Sequence, residues 1–221
     1  MPLELTDILS GRALGVRTRR GVLPVAVLTM ELQRGVMGDL ASFPELAAAA
    51  TERDIVTHAA ELLTAVRSIG RPVVHCTAEF RADRAGTVTN TPLHTTLLRR
   101  PEHLLEGTPA TELVPGLGTE TSDYVSARRH GVSPFTGTPL HDLLQQHGVH
   151  VVLVTGVSLN LGVLGLCVEA VNLGYQVVVA SDAVVGVPIE YGDAVLQTSV
   201  AVVAAVAPVE AIVSALDELI P

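Results

Sequence analysis

The sequence of 221 residues predicts a single α/β domain, residues 1–221, built as a three-layer α/β/α sandwich around a central parallel sheet of six strands. Short valine-rich runs alternate with longer amphipathic segments, which is typical of right-handed strand–helix–strand units. The runs VVLVT and VVVAS are apolar without alternation, as in strands that are covered on both faces. Gly70, Gly148 and Gly174 stand between a helix and the next strand, where a left-handed residue is favoured.

The element boundaries follow from these patterns. Five strands and a weaker sixth are predicted at Val25–Thr29, Pro72–Thr77, Asp123–Ala127, His150–Thr155, Gln176–Ser181 and Ala204–Ala207. Helices are predicted at Glu45–Ile69, Pro139–His147, Asn160–Leu173, Tyr191–Val203 and Val209–Leu219. The stretch Glu79–Thr121 is irregular and rich in Thr, Pro and Gly. It follows the carboxyl end of the second strand, so it is predicted to cover a site.

Composition and charge narrow the function. A net charge of −9 disfavours binding to nucleic acid, because such binding requires a basic protein surface. It also disfavours binding to anionic membrane surfaces. The N-terminal MPLELTDILSGRALG has no cationic segment followed by an apolar run, and no uncharged apolar stretch has the length of a membrane helix. Cys76 and Cys167 have no metal-ligand spacing and predict no disulfide framework. No glycine-rich nucleotide motif opens a helix. We therefore expect a cytoplasmic protein that acts on a small molecule, with no cofactor and no metal.

Ligands of open parallel sheets bind beyond the carboxyl ends of the strands, where the winding reverses. That rule selects the candidate site residues of this chain. They are Glu31 and Gln33 after the first strand, His75 to Arg81 at and after the second, Arg128 to His130 after the third, Val157 to Gly162 after the fourth, and Asp182 after the fifth. Among them Gln33, His75, Arg81, Ser158, Asn160 and Leu161 are expected to contact substrate.

Three segments around these positions resemble the isochorismatase-like hydrolases, also called the cysteine hydrolase superfamily. They read VLTMELQRGV, RHGVSPFTGTPLHDLL and VTGVSLNLGVLGLCVEAVNLGYQVVVASDAV, and the match extends over nearly the whole chain. The resemblance implies the family fold and a catalytic triad of Asp, Lys and Cys. Glu31, Arg129 and Gly162 occupy those three positions here. It also implies a cis peptide bond at Val157–Ser158, backbone N–H groups of Leu161 and Gly162 facing an open pocket, and assembly as a homodimer or homotetramer.

The substituted triad restricts the chemistry. Gly162 has no nucleophile, which excludes the covalent route of the family's amidases. Cys167 lies about 140° around the helix from Gly162 and is predicted to be a core residue. The branch of the family that cleaves vinyl ethers also carries glycine at this position, so Gly162 is predicted to leave room for substrate. The permanent charge of Arg129 beside Glu31 would favour a carboxylate that acts as a base or as an anchor for a cation.

The sequence leaves several functions open. The first is a non-covalent hydrolase of a small organic substrate, with Glu31 as acid/base and Arg129 as its electrostatic partner. The second is a catalytically inactive family member that binds a metabolite or serves as an oligomeric partner. The third is an amidase whose water is activated by Glu31. Asn160 is either a helix N-cap or a substrate contact, and Arg81 either binds a substrate carboxylate or is an ordinary surface arginine.

Overall fold

The computed structural model describes residues 4–11 and 24–219. The sequence predicts no leader in residues 1–15. Of these, residues 1–3 and 12–15 lie outside the described residues. No helix in these described ranges is both long and apolar enough to cross a membrane.

Six parallel strands form the sheet, in the order β3-β2-β1-β4-β5-β6. They are β1 (Val25–Met30), β2 (Val73–Ala78), β3 (Tyr124–Arg128), β4 (Val151–Gly156), β5 (Gln176–Val184) and β6 (Ala205–Ala207). Every residue of β1, β2 and β4 is buried. The unbroken apolar runs of these central strands are therefore explained by cover on both faces, and the predicted fold class is confirmed.

Helices cover both faces of the sheet. The described helices are α1 (Leu5–Leu9), α2 (Arg34–Met37), α3 (Pro44–Glu52), α4 (Ile55–Ser68), α5 (Pro92–Leu97), α6 (Leu140–Gln146), α7 (Leu164–Asn172), α8 (Ile189–Val195), α9 (Ala201–Val203) and α10 (Val209–Leu219). Helices α1, α4 and α10 pack together on one face. Helices α6 and α7 contribute buried residues to the core of the other face, and Val203 of α9 packs against that core. One aliphatic core lies on each face of the sheet, between the sheet and the helices, so the fold has three layers.

One predicted helix is two. The pattern over Glu45–Ile69 suggested a continuous helix, but α3 ends at Glu52 and α4 begins at Ile55. Asp54 between them has a φ of +50°, the left-handed conformation that aspartate tolerates better than most residues. The apolar spacing continues through this break because both helices turn one face to the same core.

The fourth strand leads into an unusual helix start. A π-helical turn spans Leu159–Val163 and continues directly into α7. The peptide bond Val157–Ser158 that precedes it is cis, as predicted, and Val187–Pro188 is a second cis bond. A similar π-helical turn, Leu196–Val200, joins α8 to α9. Single π turns of this kind are frequent at functional sites.

Candidate functional site

The site lies where the winding of the sheet reverses. β1 pairs with β2 on one side and with β4 on the other, and Met30 at the end of β1 is in register with Gly156 at the end of β4. Beyond these two strand ends is a cavity of about 260 Å³. This is the position at which open parallel sheets bind ligands.

Five segments line the cavity. The strap, which we define as residues 79–121, contributes much of its wall, as the sequence predicted. The lining residues are Glu31, Gly35, Val36, Ser42, Phe43, Leu46, Ala78, Phe80, Leu93, His94, Leu97, His103, Leu104, Arg128, Gly131, Val132, Ser158, Asn160, Leu161, Gly162 and Val187. Most of them are apolar. Glu31 and Arg128 are its only carboxylate and guanidinium among the described residues.

Glu31 begins the polar part of the cavity. It follows the last residue of β1 and has a φ of +51°. Residues other than Gly, Asn and Asp rarely adopt this backbone angle. Its N–H donates to the carbonyl of Cys76 at 2.9 Å, which anchors this backbone to β2. Residues held in this left-handed region are concentrated at functional sites. Glu31 lines the cavity, so this strained backbone position lies at the candidate site.

The partner of Glu31 is Arg128, and the expected Glu31–Arg129 pair is absent. Nη2 of Arg128 donates to Oε1 of Glu31, and both side chains are largely buried. Arg129 turns outward, where its guanidinium lies 3.4 Å from Glu106. The strand alternation explains this correction: β3 extends one residue further than predicted, so Arg128 shares the inward face with buried Ser126. A predicted third strand that ended at Arg128 instead of Ala127 would have identified Arg128 as the partner of Glu31.

Gly162 is in the cavity wall, but the space beside it is partly filled. A Cβ placed on Gly162 would lie 2.8 Å from Cε of Met30 and 3.4 Å from its Cγ. Met30 is fully buried. The Met30 side chain therefore occupies much of the volume next to the glycine, which modifies the prediction that Gly162 leaves this room for substrate.

The turn after β4 brings three more predicted residues to the cavity. Ser158, Asn160 and Leu161 all line it. The hydroxyl of Ser158 donates to Oδ1 of Asn160, and no side chain caps the helix. The N–H of Leu161 donates to the carbonyl of Ser158 at 3.2 Å. The expectation that this N–H faces an open pocket is therefore wrong for Leu161, because a three-residue hydrogen bond within the turn already engages it. For the N–H of Gly162 it stays a prediction.

Gln33 does not reach the cavity. Its amide donates to the carbonyls of Ala78 and Thr111, and its oxygen accepts from the N–H of Ala78 at 2.8 Å. Since the whole side chain is buried and bonded to backbone, it joins β1, β2 and the strap. Its predicted contact with substrate is replaced by this structural role.

His75 and Arg81 also lie outside the cavity. His75 is buried in β2, with Nδ1 2.9 Å from the Thr29 hydroxyl and Nε2 3.2 Å from Asp123. Burial lowers the pKa of His75, although Asp123 acts in the opposite direction. Arg81 is exposed and paired with Asp83 at 2.8 Å. Neither side chain is placed to contact a ligand in this cavity.

Two cavity histidines were not predicted. His94 lies on α5, with Nδ1 2.8 Å from the Thr91 hydroxyl, and His103 lies further along the strap, with Nδ1 2.8 Å from Ser42. Burial, with a smaller effect of Arg100, lowers the pKa of His103 to about 4. Burial and Arg128 also lower the pKa of His94. Both rings are therefore neutral at neutral pH.

The two thiols are inert groups of the core. Cys76 and Cys167 are buried, free and absent from the cavity lining. Burial raises the pKa of each to about 12, which leaves almost no thiolate at neutral pH. This placement agrees with the prediction that Cys167 is a core residue. Among the described residues no group of three His, Cys, Asp or Glu is arranged to hold a metal ion.

The fold and the cavity define a doubly wound α/β protein whose ligand site lies at the switch point of a parallel sheet. A model of the Isochorismatase domain matches residues 25–211, which is most of the chain. The protein therefore belongs to the isochorismatase family and is a hydrolase of that family.

Relatives and solved structures agree with this family. The uncharacterized isochorismatase family protein YecD of Escherichia coli O157:H7 is 27% identical over 161 residues, 72% of this chain and 78% of that protein. YwoC of Bacillus subtilis (strain 168), described in the same words, is 35% identical over 72 residues, 33% of this chain but only 38% of that protein. An isochorismatase family protein from Burkholderia thailandensis has a TM-score of 0.72 at 27% identity, covering 88% of this chain and 96% of that one.

Proposed function

We propose that this protein hydrolyses a small organic substrate without a covalent intermediate, with Glu31 as acid/base and Arg128 as its electrostatic partner. The observation that carries the proposal is the Glu31–Arg128 pair, which lines the same cavity as Gly162, the glycine that resemblance to the family places at the nucleophile position. A strained backbone holds Glu31 there, and such strain is typical of functional residues. Arg128 takes the role that the sequence suggested for Arg129.

The pair favours general-base chemistry. Arg128 keeps its positive charge and donates a hydrogen bond to the Glu31 carboxylate. Glu31 would take a proton from a water molecule while the water oxygen attacks the electrophilic carbon of the substrate. As the bond to the leaving group breaks, Glu31 returns that proton to it, so water is the only co-reactant. Arg128 would stabilise the negative charge that develops on the substrate oxygen.

A matched pair of glutamate variants tests this role. Wild type, Glu31→Gln and Glu106→Gln should be assayed on a panel of amides, imides and vinyl ethers. Glu31→Gln is expected to lose at least about 100-fold in kcat, the usual contribution of a general base. The Glu106 carboxylate pairs with exposed Arg129, so Glu106→Gln should keep wild-type activity. Equal activity of the two variants would refute the role of Glu31.

Thiol chemistry separates this route from covalent catalysis. Treating the folded protein with iodoacetamide should leave turnover unchanged, because both thiols are buried and protonated. A stoichiometric acyl adduct on Cys76 or Cys167, trapped with substrate and found by mass spectrometry, would contradict the non-covalent mechanism.

The alternative is a family member that binds a metabolite without turning it over. One observation favours it: the Met30 side chain occupies space beside Gly162, and the glycine itself provides no reactive group. Ligand-dependent thermal stabilisation with no product, together with equal inertness of wild type and Glu31→Gln, would support this binding function. The predicted homodimer or homotetramer remains a prediction under either function.

A further inference from the structure

A turn of the strap, from Arg84 to Thr87, carries two polar side-chain atoms that the described residues do not satisfy. The N–H of Thr87 donates to the carbonyl of Arg84 at 3.0 Å and closes the turn. Nη1 of Arg84 and Oγ1 of Thr87 are both buried and have no hydrogen-bond partner among the described residues. Buried polar groups are nearly always paired with protein, water or a ligand. These two atoms therefore require a partner from outside the described chain.

The Arg84 guanidinium is held in a defined position. Arg84 has a φ of +58°, a left-handed conformation that is uncommon for arginine and concentrated at functional sites. Cζ of Arg84 lies 5.7 Å from the centre of the Phe80 ring, and Nη2 donates to the carbonyl of Pro101 at 2.8 Å. Because these contacts fix the group, Nη1 is preorganised for one further acceptor.

Two arginines of the strap, Arg84 and Arg100, have no carboxylate partner among the described residues. The acidic residues beside them in the sequence do not change this. Asp83 is paired with Arg81 at 2.8 Å, and Glu102 is exposed and forms an ion pair with neither arginine. A partly buried cation without a counter-charge loses hydration that nothing in the protein replaces.

The nearby His103 is affected by both of these positive charges. Burial is the largest cause that lowers the pKa of His103, and the charges of Arg100 and Arg84 lower it further. The N–H of His103 donates to the carbonyl of Arg100 at 3.1 Å, and Arg84 bonds to neighbouring Pro101. The fold therefore brings the two arginines to the same part of the strap.

We propose that the strap binds a small oxyanion, such as phosphate, at Arg84, Thr87 and Arg100. An oxyanion supplies acceptor oxygens for Nη1 of Arg84 and for the Thr87 hydroxyl. It also supplies the negative charge that a water molecule lacks. Neither arginine lines the ligand cavity, whereas Phe80 and His103 do, so the oxyanion site is separate from the candidate substrate site. The inference is therefore independent of the proposed function.

Thermal unfolding of the full chain tests the site. The probes are inorganic phosphate, sulfate and glycerol phosphate, each compared with chloride at the same ionic strength. The Tm of wild type should rise by at least about 2 °C in about 20 mM phosphate or sulfate. An equal rise in glycerol phosphate would identify the phosphate group of a metabolite as the ligand, and no rise would identify a free oxyanion. The absence of any gain with all three anions would overturn the proposal.

A matched pair of arginine variants locates the site. Arg84→Asn removes the guanidinium, and asparagine tolerates the left-handed φ, so the turn is kept. The dissociation constant for phosphate should rise at least about 10-fold in this variant and about 3-fold in Thr87→Val, which lacks only the hydroxyl. Arg81→Asn removes an exposed guanidinium that Asp83 already neutralises, so it should bind phosphate as wild type does. Unchanged binding in Arg84→Asn would refute the assignment.

The pKa of His103 gives a readout that a purely structural role of Arg84 would not change. Sulfate is the probe here, because its charge is constant over the pH range in which His103 titrates. Bound sulfate offsets the charges of Arg84 and Arg100, so NMR titration of the His103 ring should give a pKa higher by at least about 0.5 in sulfate than in chloride. This difference should disappear in Arg84→Asn. The same pKa of His103 in both salts for wild type would place any bound anion elsewhere and overturn the proposal.

Discussion

The guanidinium of Arg128 lies against the carboxylate of Glu31 and joins the end of β3 to the end of β1 across the intervening strand β2. The side chains of Arg128 and Glu31 are 8% and 16% exposed. The attraction between the two charges is therefore the main compensation for the hydration that each group loses. Arg129, the next residue, makes an exposed pair with Glu106. Two adjacent arginines thus have opposite environments.

This contrast predicts different costs for the same substitution. Arg128→Gln leaves a largely buried carboxylate without its cation and is expected to destabilise the fold by about 3 kcal/mol. Arg129→Gln removes an exposed pair and should change stability by less than about 1 kcal/mol. Urea unfolding of both variants measures the two values. Equal changes would mean that Arg128 is not the partner of Glu31 in solution.

His103 predicts an acid-dependent loss of stability. Its pKa in the fold is about 4, below the unfolded value of about 6.5, so the unfolded chain binds the proton first. Its contribution is therefore complete above about pH 6.5 and declines as the pH falls toward about 4. At about pH 5 the loss amounts to about 2 kcal/mol.

The variant His103→Gln isolates this effect, because the other titrating groups are unchanged. Urea unfolding at about pH 8 and about pH 5 should show a smaller loss in the variant than in wild type, by about 2 kcal/mol. The same pH dependence in both proteins would show that His103 is not held neutral by its burial.

Two glycines around Met30 should tolerate a methyl group very differently. A Cβ on Gly162 would lie 2.8 Å from Cε at the far end of the Met30 side chain, and 3.4 Å from Met30 Cγ and from the Val157 carbonyl oxygen, so Gly162→Ala should cost about 1 kcal/mol. A Cβ on Gly156 would overlap the backbone of Met30, and Gly156 has a φ of +118°. Gly156→Ala should therefore cost about 3 kcal/mol or more, or prevent folding.

Thermal and urea unfolding of the two alanine variants provide the measurement. A loss in Gly162→Ala as large as in Gly156→Ala would mean that the Met30 side chain has no other position available. Gly162→Ala with added Met30→Leu is a further control, since leucine lacks the terminal Cε methyl group.

Periodicity was sufficient to predict the layers. The unalternating valine runs predicted strands covered on both faces, and the strand–helix alternation predicted a parallel sheet, because these patterns record burial that is local along the chain. The rule for ligand sites then selected Glu31 and the segment Ser158–Gly162, since both follow strands at the switch point. Motif resemblance added the cis bond before Ser158, which the structure contains.

Side-chain direction at the strand ends depended on the tertiary structure. Whether Arg128 or Arg129 turned inward depended on a single residue in the length of β3, because successive side chains of a strand point to opposite faces. Gln33 and His75 carried chemically useful groups, but contacts from distant segments engaged them. His94 and His103 reached the cavity only because the strap folds over it, and Met30 filled the space beside Gly162 because β1 lies next to β4. The sequence by itself determined the fold and the position of the site, while packing between segments far apart in the chain decided which groups face the ligand.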